Sequence, residues 1–253
     1  MSLYVCTYTG AQIDQAIKNP DNKIINGAFQ INQRAVTSTV TLAAGIYGHD
    51  MWKAGTGGCT YTFAASGGVT TLTISAGSLQ QVVEGVSLET ATYCLSWTGT
   101  AQGKIGAGTA GATGVTGAVT GGTNLTVEFG TGTLAKVKLE QGAVATPFRM
   151  PGYGEQLAIC RRYYRDLAGV MLRSIYYAAD FVAFPMQQAA AGMRLALPTL
   201  VSAVFEVFGY PVSLQAGFTL GTHTARDIIL NKVAHGLTDV TVSFTSGYLS
   251  AEL

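Results

Sequence analysis

An aromatic ring beside a carboxylate is the pairing that sugar recognition needs. The ring face stacks on C–H bonds while the acid accepts hydrogen bonds from hydroxyls. The run Tyr47-Gly48-His49-Asp50-Met51-Trp52 supplies both, which makes Tyr47, Asp50 and Trp52 carbohydrate-binding candidates. A second concentration of rings, Tyr176, Tyr177, Phe181, Phe184, Phe208 and Tyr210, adds Tyr176, Tyr177 and Tyr210 to them. Tyrosine offers contact area and a hydroxyl at low conformational cost, so an exposed set would form a recognition surface. Each ring has a competing use in a core or a subunit interface. For Trp52, and for Trp97 alternating with Leu95 and Tyr93, filling the core of a small β domain is the simpler role.

No other spacing assembles a reaction centre. His49, His223 and His235 are far apart, and neither an HExxH helix motif nor a G-x-S-x-G elbow occurs. Asp50, Glu84, Glu128 and Glu140 are acids that a fold would have to bring within about 5–10 Å for glycoside hydrolysis. Gly106-Ala107-Gly108-Thr109-Ala110-Gly111 spells GxGxxG, yet no βαβ unit surrounds it and no helix-forming run follows. Gly108, Gly111, Gly114 and Gly117 recur every third residue without a proline, which fits a folded or flexible glycine loop rather than a triple helix. Cys6, Cys59, Cys94 and Cys160 form no CxxC pair, and buried free thiols are expected, with a Cys59–Cys94 bridge as the alternative. The chain is therefore expected to be no enzyme and to carry neither cofactor nor metal.

The elements that must position these residues are mostly strands. Charged residues are only 11% of the chain while 48% are hydrophobic, a balance that suits tightly packed strands with uncharged polar faces. Leu72/Ile74/Ala76, Tyr93/Leu95/Trp97, Leu125/Val127/Phe129 and Val137/Leu139 alternate with Thr, Ser, Lys or Glu, giving each strand one dry and one wet face. Gly57-Gly58, Gly67-Gly68 and Gly121-Gly122 read as turns between them, and this spacing predicts an antiparallel sandwich. Thr9-Gly10-Ala11-Gln12 has capping-box form and predicts a short helix that ends at Asn19-Pro20-Asp21-Asn22. Beyond Pro151-Gly152-Tyr153-Gly154, the positions of Leu157, Cys160, Tyr164 and Leu167 predict a second helix. Glu155 stands at its start and Arg161, Arg162 and Arg165 toward its end, to match the helix dipole. Ala203/Phe205/Val207 and Val240/Val242/Phe244 then alternate again, separated by turns near Gly221 and Gly236.

The predicted fold is mainly β. A short N-terminal connecting helix and linker (1–22) precede an antiparallel β-sandwich (23–150), and a connecting helix leads to a second, smaller C-terminal β-sandwich domain (151–253). Near-zero net charge with no large Lys/Arg cluster excludes an electrostatic nucleic-acid footprint and favours self-association. The first ten residues lack basic and apolar signal regions, so no secretory leader is expected. Residues 195–214 are apolar but broken by Pro198, Glu206 and Pro211, so no membrane insertion is expected.

Three phrases carry a resemblance. They are Ile24-Ile25-Asn26-Gly27-Ala28-Phe29-Gln30-Ile31-Asn32-Gln33-Arg34, then Val137-Lys138-Leu139-Glu140-Gln141-Gly142-Ala143-Val144-Ala145-Thr146-Pro147-Phe148, then Gly154-Glu155-Gln156-Leu157-Ala158-Ile159-Cys160-Arg161-Arg162-Tyr163-Tyr164. In this order and spacing the chain resembles bacteriophage tail-fibre, receptor-binding proteins, in which such an opening and closing bracket a jelly roll like a carbohydrate-binding module. The 47–52 run is similar to the Y-x-x-D-x-W step of those modules, and residues 248–253 resemble their end. The resemblance implies a virion (phage tail) protein made in the host bacterial cytoplasm, a homo-oligomer and most simply a trimer. It implies bacterial surface polysaccharide or lipopolysaccharide as receptor, and other phage tail proteins as partners of the N-terminal segment. It also implies that the C-terminal domain meets the receptor. A structural virion component (fibre segment, adaptor or decoration protein) and a glycan depolymerase are the competing readings. Within the frame, Asn26, Gly27 and Arg34 are expected to shape the first turn, and Glu140 to pair with Arg34 or Lys138.

Overall fold

The computed structural model describes residues 22–167, 171–173, 176–178, 181–185, 193, 199–208, 219–223, 227–231 and 241–252, and of the strands between 171 and 248 it describes the backbone. Among these residues the fold is mainly β, with a large antiparallel sheet and a single helix. The expected N-terminal helix and Tyr210 lie outside the described residues. The chain divides into two compact units with the boundary between Leu157 and Ala158.

Eight strands build the first unit: β1 (Thr39–Leu42), β2 (Lys53–Ser66), β3 (Val69–Val83), β4 (Ala91–Thr98), β5 (Gly103–Ile105), β6 (Val115–Val119), β7 (Leu125–Phe129) and β8 (Gly132–Gln141). They pair in the order β1-β2-β3-β8-β4-β6, with β7 on β3 and β5 on β7. Strand β3 holds this together because one edge serves two neighbours. Its residues 72–74 pair with β8, and residues 79–83 pair with β7. Between those stretches the β2–β3 register slips between Ala54 and Cys59. The expected turn at Gly57-Gly58 lies inside β2 at this irregularity, because an extra loop of backbone there lets the strand bend without ending. The actual reversal is at Gly67-Gly68, whose φ angles of 57° and 77° suit a two-residue hairpin turn.

The alternating residues deliver the core. Trp52, Tyr61, Leu72, Leu79, Leu95, Trp97, Phe129 and Leu134 are all buried. Trp97 meets Phe129 edge-on at 5.1 Å, and Phe29 lies 4.9 Å from Trp52. Burying each such side chain contributes about 1.5–3 kcal/mol, so this cluster rather than any polar contact drives the unit's collapse. Two expectations of alternation fail locally. Ala76 is exposed beside the irregularity at Gly77, and β8 is covered on both faces, so Lys138 and Glu140 are buried along with Val137 and Leu139.

Residues of the opening and closing phrases make a seam along β8. The Asn22 side chain accepts from Leu139 N at 3.0 Å and donates to Val137 O at 2.9 Å, beside the backbone bond from Lys23 N to Leu139 O at 2.9 Å. Gly27 continues the seam, its carbonyl accepting from Val137 N at 2.8 Å, and a Cβ there would come within 2.2 Å of the Val137 oxygen. Glycine is therefore required for the close approach.

The second unit contains β9 (Tyr164–Asp166), β10 (Met171–Arg173), β11 (Tyr176–Ala178), β12 (Phe181–Pro185), β13 (Thr199–Phe208), β14 (Thr219–His223), β15 (Asp227–Asn231) and β16 (Thr241–Ser250). One sheet runs β10-β16-β13 with β9 also on β16, and the other runs β11-β12-β15-β14. Gly221, expected in a turn, lies in β14 near a register shift, and Gly236 falls outside the described residues. The helix spans Tyr153–Cys160 and is shorter than its periodicity predicts. Tyr163 and Tyr164 are consecutive and both buried. Tyr164 opens β9 opposite Ser250 of β16, so long-range pairing overrides the helical pattern. Arg161, Arg162 and Arg165 consequently lie past the helix, and only Glu155 in its first turn matches the dipole.

Candidate functional site

The first sugar-binding candidates prove to be parts of the turn that opens the unit. Asn26 adopts a left-handed φ of 53°. Its side chain accepts from Ile31 N at 3.0 Å and donates to Ile31 O at 2.8 Å and Asp50 O at 3.0 Å. Trp52 is fully buried, and its indole N–H donates to Asn26 O at 3.0 Å. Asp50 is buried too. Its carboxylate accepts from Gln33 N at 3.1 Å and Gln33 Nε2 at 2.5 Å and faces Arg34 at 3.6 Å. Burial pushes the Asp50 carboxyl above its usual range, against the Gln33 hydrogen bonds and the Arg34 charge. Trp52 and Asp50 thus present neither a ring face nor a carboxylate to a ligand. Tyr47 is half-buried, with the Arg34 guanidinium 5.3 Å and the Lys53 ammonium 5.8 Å from its ring centroid. Both distances are within the range of cation–π attraction. Tyr176 and Tyr177 occupy β11, opposite Ala183 and Val182 of β12.

The frame's other carboxylate is equally internal. Glu140 pairs with Lys138 at 2.9 Å, not with Arg34, and both side chains are nearly solvent-free. Thr146 completes the group, donating to Glu140 through its backbone N at 2.8 Å and its hydroxyl at 2.5 Å, while Lys138 also reaches Thr146 Oγ1. His49 is buried against Tyr61, 2.9 Å from the phenol oxygen, and burial lowers its pKa from 6.5 to about 4. Cys59, Cys94 and Cys160 are buried and form no disulfide, so the Cys59–Cys94 bridge is not formed, and burial raises the thiols of Cys59 and Cys94 to about 11. Such thiols are poor nucleophiles and poor metal ligands.

A different group of polar residues faces outward. Directly paired residues share a face of a sheet, and the register lines up Lys53 of β2, Gln80 of β3, Glu128 of β7 and Lys104 of β5 in one row across four strands. The adjoining row, Ala54, Leu79, Phe129 and Gly103, points inward and is buried. One end of the outer row opens into a cleft of about 430 Å³ lined by Ser78, Thr100, Gln102, Lys104, Ala110, Glu128, Gly130 and Thr131. Within it, Lys104 Nζ lies 2.8 Å from Glu128 Oε2 and Ser78 Oγ donates to Glu128 Oε1 at 2.6 Å. Burial pushes the Glu128 carboxyl up, but hydrogen bonds from Lys104, Ser78 and Gln80 and the Lys104 charge outweigh it. The net direction is below the usual carboxylate range. Gly55 sits under this group. A Cβ there would come within 2.1 Å of Ser78 Oγ and 3.1 Å of Glu128 Oε1, so the bare backbone is what lets Ser78 reach Glu128.

Chemically, the cleft combines a half-exposed carboxylate, ammonium and Ser78 hydroxyl with the exposed hydroxyls of Thr100 and Thr131 and the exposed Gln102 amide, with matched charge. That inventory binds neutral polyhydroxylated molecules through paired donors and acceptors. Of the four acids singled out by type, only Glu128 lines this cleft. Among the described residues no group of three or more His, Cys, Asp or Glu is placed to hold a metal, and no helix is long and apolar enough to cross a membrane. Sequence reasoning missed Lys104, Gln80, Ser78 and Gly55. The one available signal was alternation of Glu128 with the apolar Val127 and Phe129, which marks an outward position but not its partners. No family model, no curated protein and no solved structure matches the chain.

Proposed function

We propose that this protein is a phage or prophage tail-fibre, receptor-binding protein that attaches to bacterial surface glycan by multivalent, non-catalytic binding. In this reading the first unit is a jelly-roll-like sandwich, the second unit is a smaller C-terminal β-sandwich domain, and the chain works as a homotrimer in the virion. The observation that carries the glycan reading is the outward cleft around Glu128, whose hydroxyl, amide, ammonium and carboxylate groups suit sugar hydroxyls. The non-catalytic reading rests on the same residue. Glu128 is the single carboxylate in the lining of the cleft, where glycoside hydrolysis needs two placed acids. Support for the virion assignment comes from the opening and closing phrases, which meet where Val137 N donates to Gly27 O and where Lys138, Glu140 and Thr146 join. The candidate cleft in the N-terminal unit stands beside the expected receptor contact of the C-terminal one.

Weak single sites on a rigid oligomer gain roughly 10² to 10⁴ in avidity, so binding to whole cells should far exceed binding to a soluble monovalent sugar. A glycan array and a cell-adsorption assay on the intact protein and its Glu128→Gln variant test this. Retention of the parent and loss by the variant are expected. Absence of binding to every glycan and to cells would refute the reading.

A further inference from the structure

We infer that the cleft recognises a vicinal diol of a neutral sugar ring, gripped jointly by Glu128 and Lys104. This deepens the glycan reading and rests on it. A diol needs an acceptor for one hydroxyl proton and a donor for the neighbouring hydroxyl oxygen, set side by side. Glu128 Oε2 and Lys104 Nζ are such a pair, 2.8 Å apart on directly opposed residues of β7 and β5. Each keeps capacity after meeting the other. A carboxylate accepts about four hydrogen bonds and an ammonium donates three, and both side chains remain open to solvent at 20% and 35%. Ser78 and Gln80 fix the carboxylate from the β3 side, so its oxygens are oriented before a ligand arrives.

The matched charge of the pair favours a neutral ring over an acidic one, since an anionic group beside Glu128 would be repelled while Lys104 is already engaged. Gly55 makes the orientation possible, because any side chain at that position displaces Ser78 from Glu128. Position 55 therefore tunes the pair without touching the sugar.

The test uses the intact protein on immobilised lipopolysaccharide and capsular polysaccharide in three forms. These are untreated, oxidised with periodate and then reduced with borohydride to destroy vicinal diols, and carboxyl-reduced to remove acidic charge. Binding to untreated polysaccharide, a loss of at least tenfold after periodate and retention after carboxyl reduction are expected. Glu128→Gln and Lys104→Met should each lose roughly ten- to hundredfold, and the double variant no more than the weaker single one, because the two groups act on one diol. Gly55→Ala should lose affinity with its unfolding midpoint nearly unchanged. Undiminished binding after periodate overturns the diol assignment while leaving glycan attachment standing. Undiminished binding by both single variants moves recognition away from this cleft, and absence of binding to every untreated polysaccharide overturns the glycan reading itself.

Discussion

Two polar clusters in the first unit use the same chemistry to opposite ends. Lys138, Glu140 and Thr146 form a carboxylate–ammonium–hydroxyl group on β8, and Glu128, Lys104 and Ser78 form another on β7, β5 and β3. The first is closed, its ions 5% and 0% exposed and their capacity consumed by one another and by Thr146. The second is held only from below and from one side. A buried ion pair stands on its completeness, since removing one member leaves the other uncompensated, whereas a half-exposed pair is cheap to break because water replaces the partner. Burial, not residue type, separates a closed fastening from an open pair.

Glu140→Ala breaks the comparison most strongly. Leaving Lys138 buried and unpaired should cost about 3–5 kcal/mol in urea-induced unfolding. Next comes acid. His49 stays neutral in the folded protein at pH values where the unfolded chain binds a proton. Its contribution is whole above pH 6.5 and is lost as the pH falls through about 4, by roughly 3 kcal/mol. Asp50 acts with the opposite sign: its raised pKa gives stability that is present below its ordinary 3.8 and lost as the pH rises through the raised value. The difference between wild type and His49→Gln, followed by urea unfolding from pH 4 to 7, isolates the histidine. Trp52→Phe, which keeps a ring but orphans the Asn26 carbonyl, should cost about 1–3 kcal/mol in the same measurement. Glu128→Gln should be the mildest, under about 1 kcal/mol of stability. A loss there as large as that of Glu140→Ala would erase the distinction between the two clusters.

How far these clusters could be read in advance follows from the distance over which they are encoded. Alternation within a strand is local, so the faces of β4 and β7 and the burial of Trp97 were legible, whereas the wet face expected of β8 is covered through Thr146 and was not. The short-range turn at Asn26-Gly27 was legible too, and Lys138, two residues away, was one of the two partners expected for Glu140. The row Lys53-Gln80-Glu128-Lys104 was not, because it depends on the registers of four strands, each set by a hairpin, a bulge or a crossover. The helix end at Cys160 failed similarly, since Tyr164, expected on the helix, pairs with Ser250 in β9 instead. Trp52 and Asp50 were ambiguous by type. Only the network through Asn26 and Gln33 decides that they are internal.

The seam on β8 has a mechanical consequence. The incoming chain is fastened to Val137 and Leu139 through Asn22, Lys23 and Gly27, and the outgoing chain to Glu140 through Thr146. Tension applied at both ends of the unit would therefore pass along one short strand and spare the rest of the sheet. The cleft, on β3, β5 and β7, lies off that path and would keep its shape while the chain that carries it is pulled.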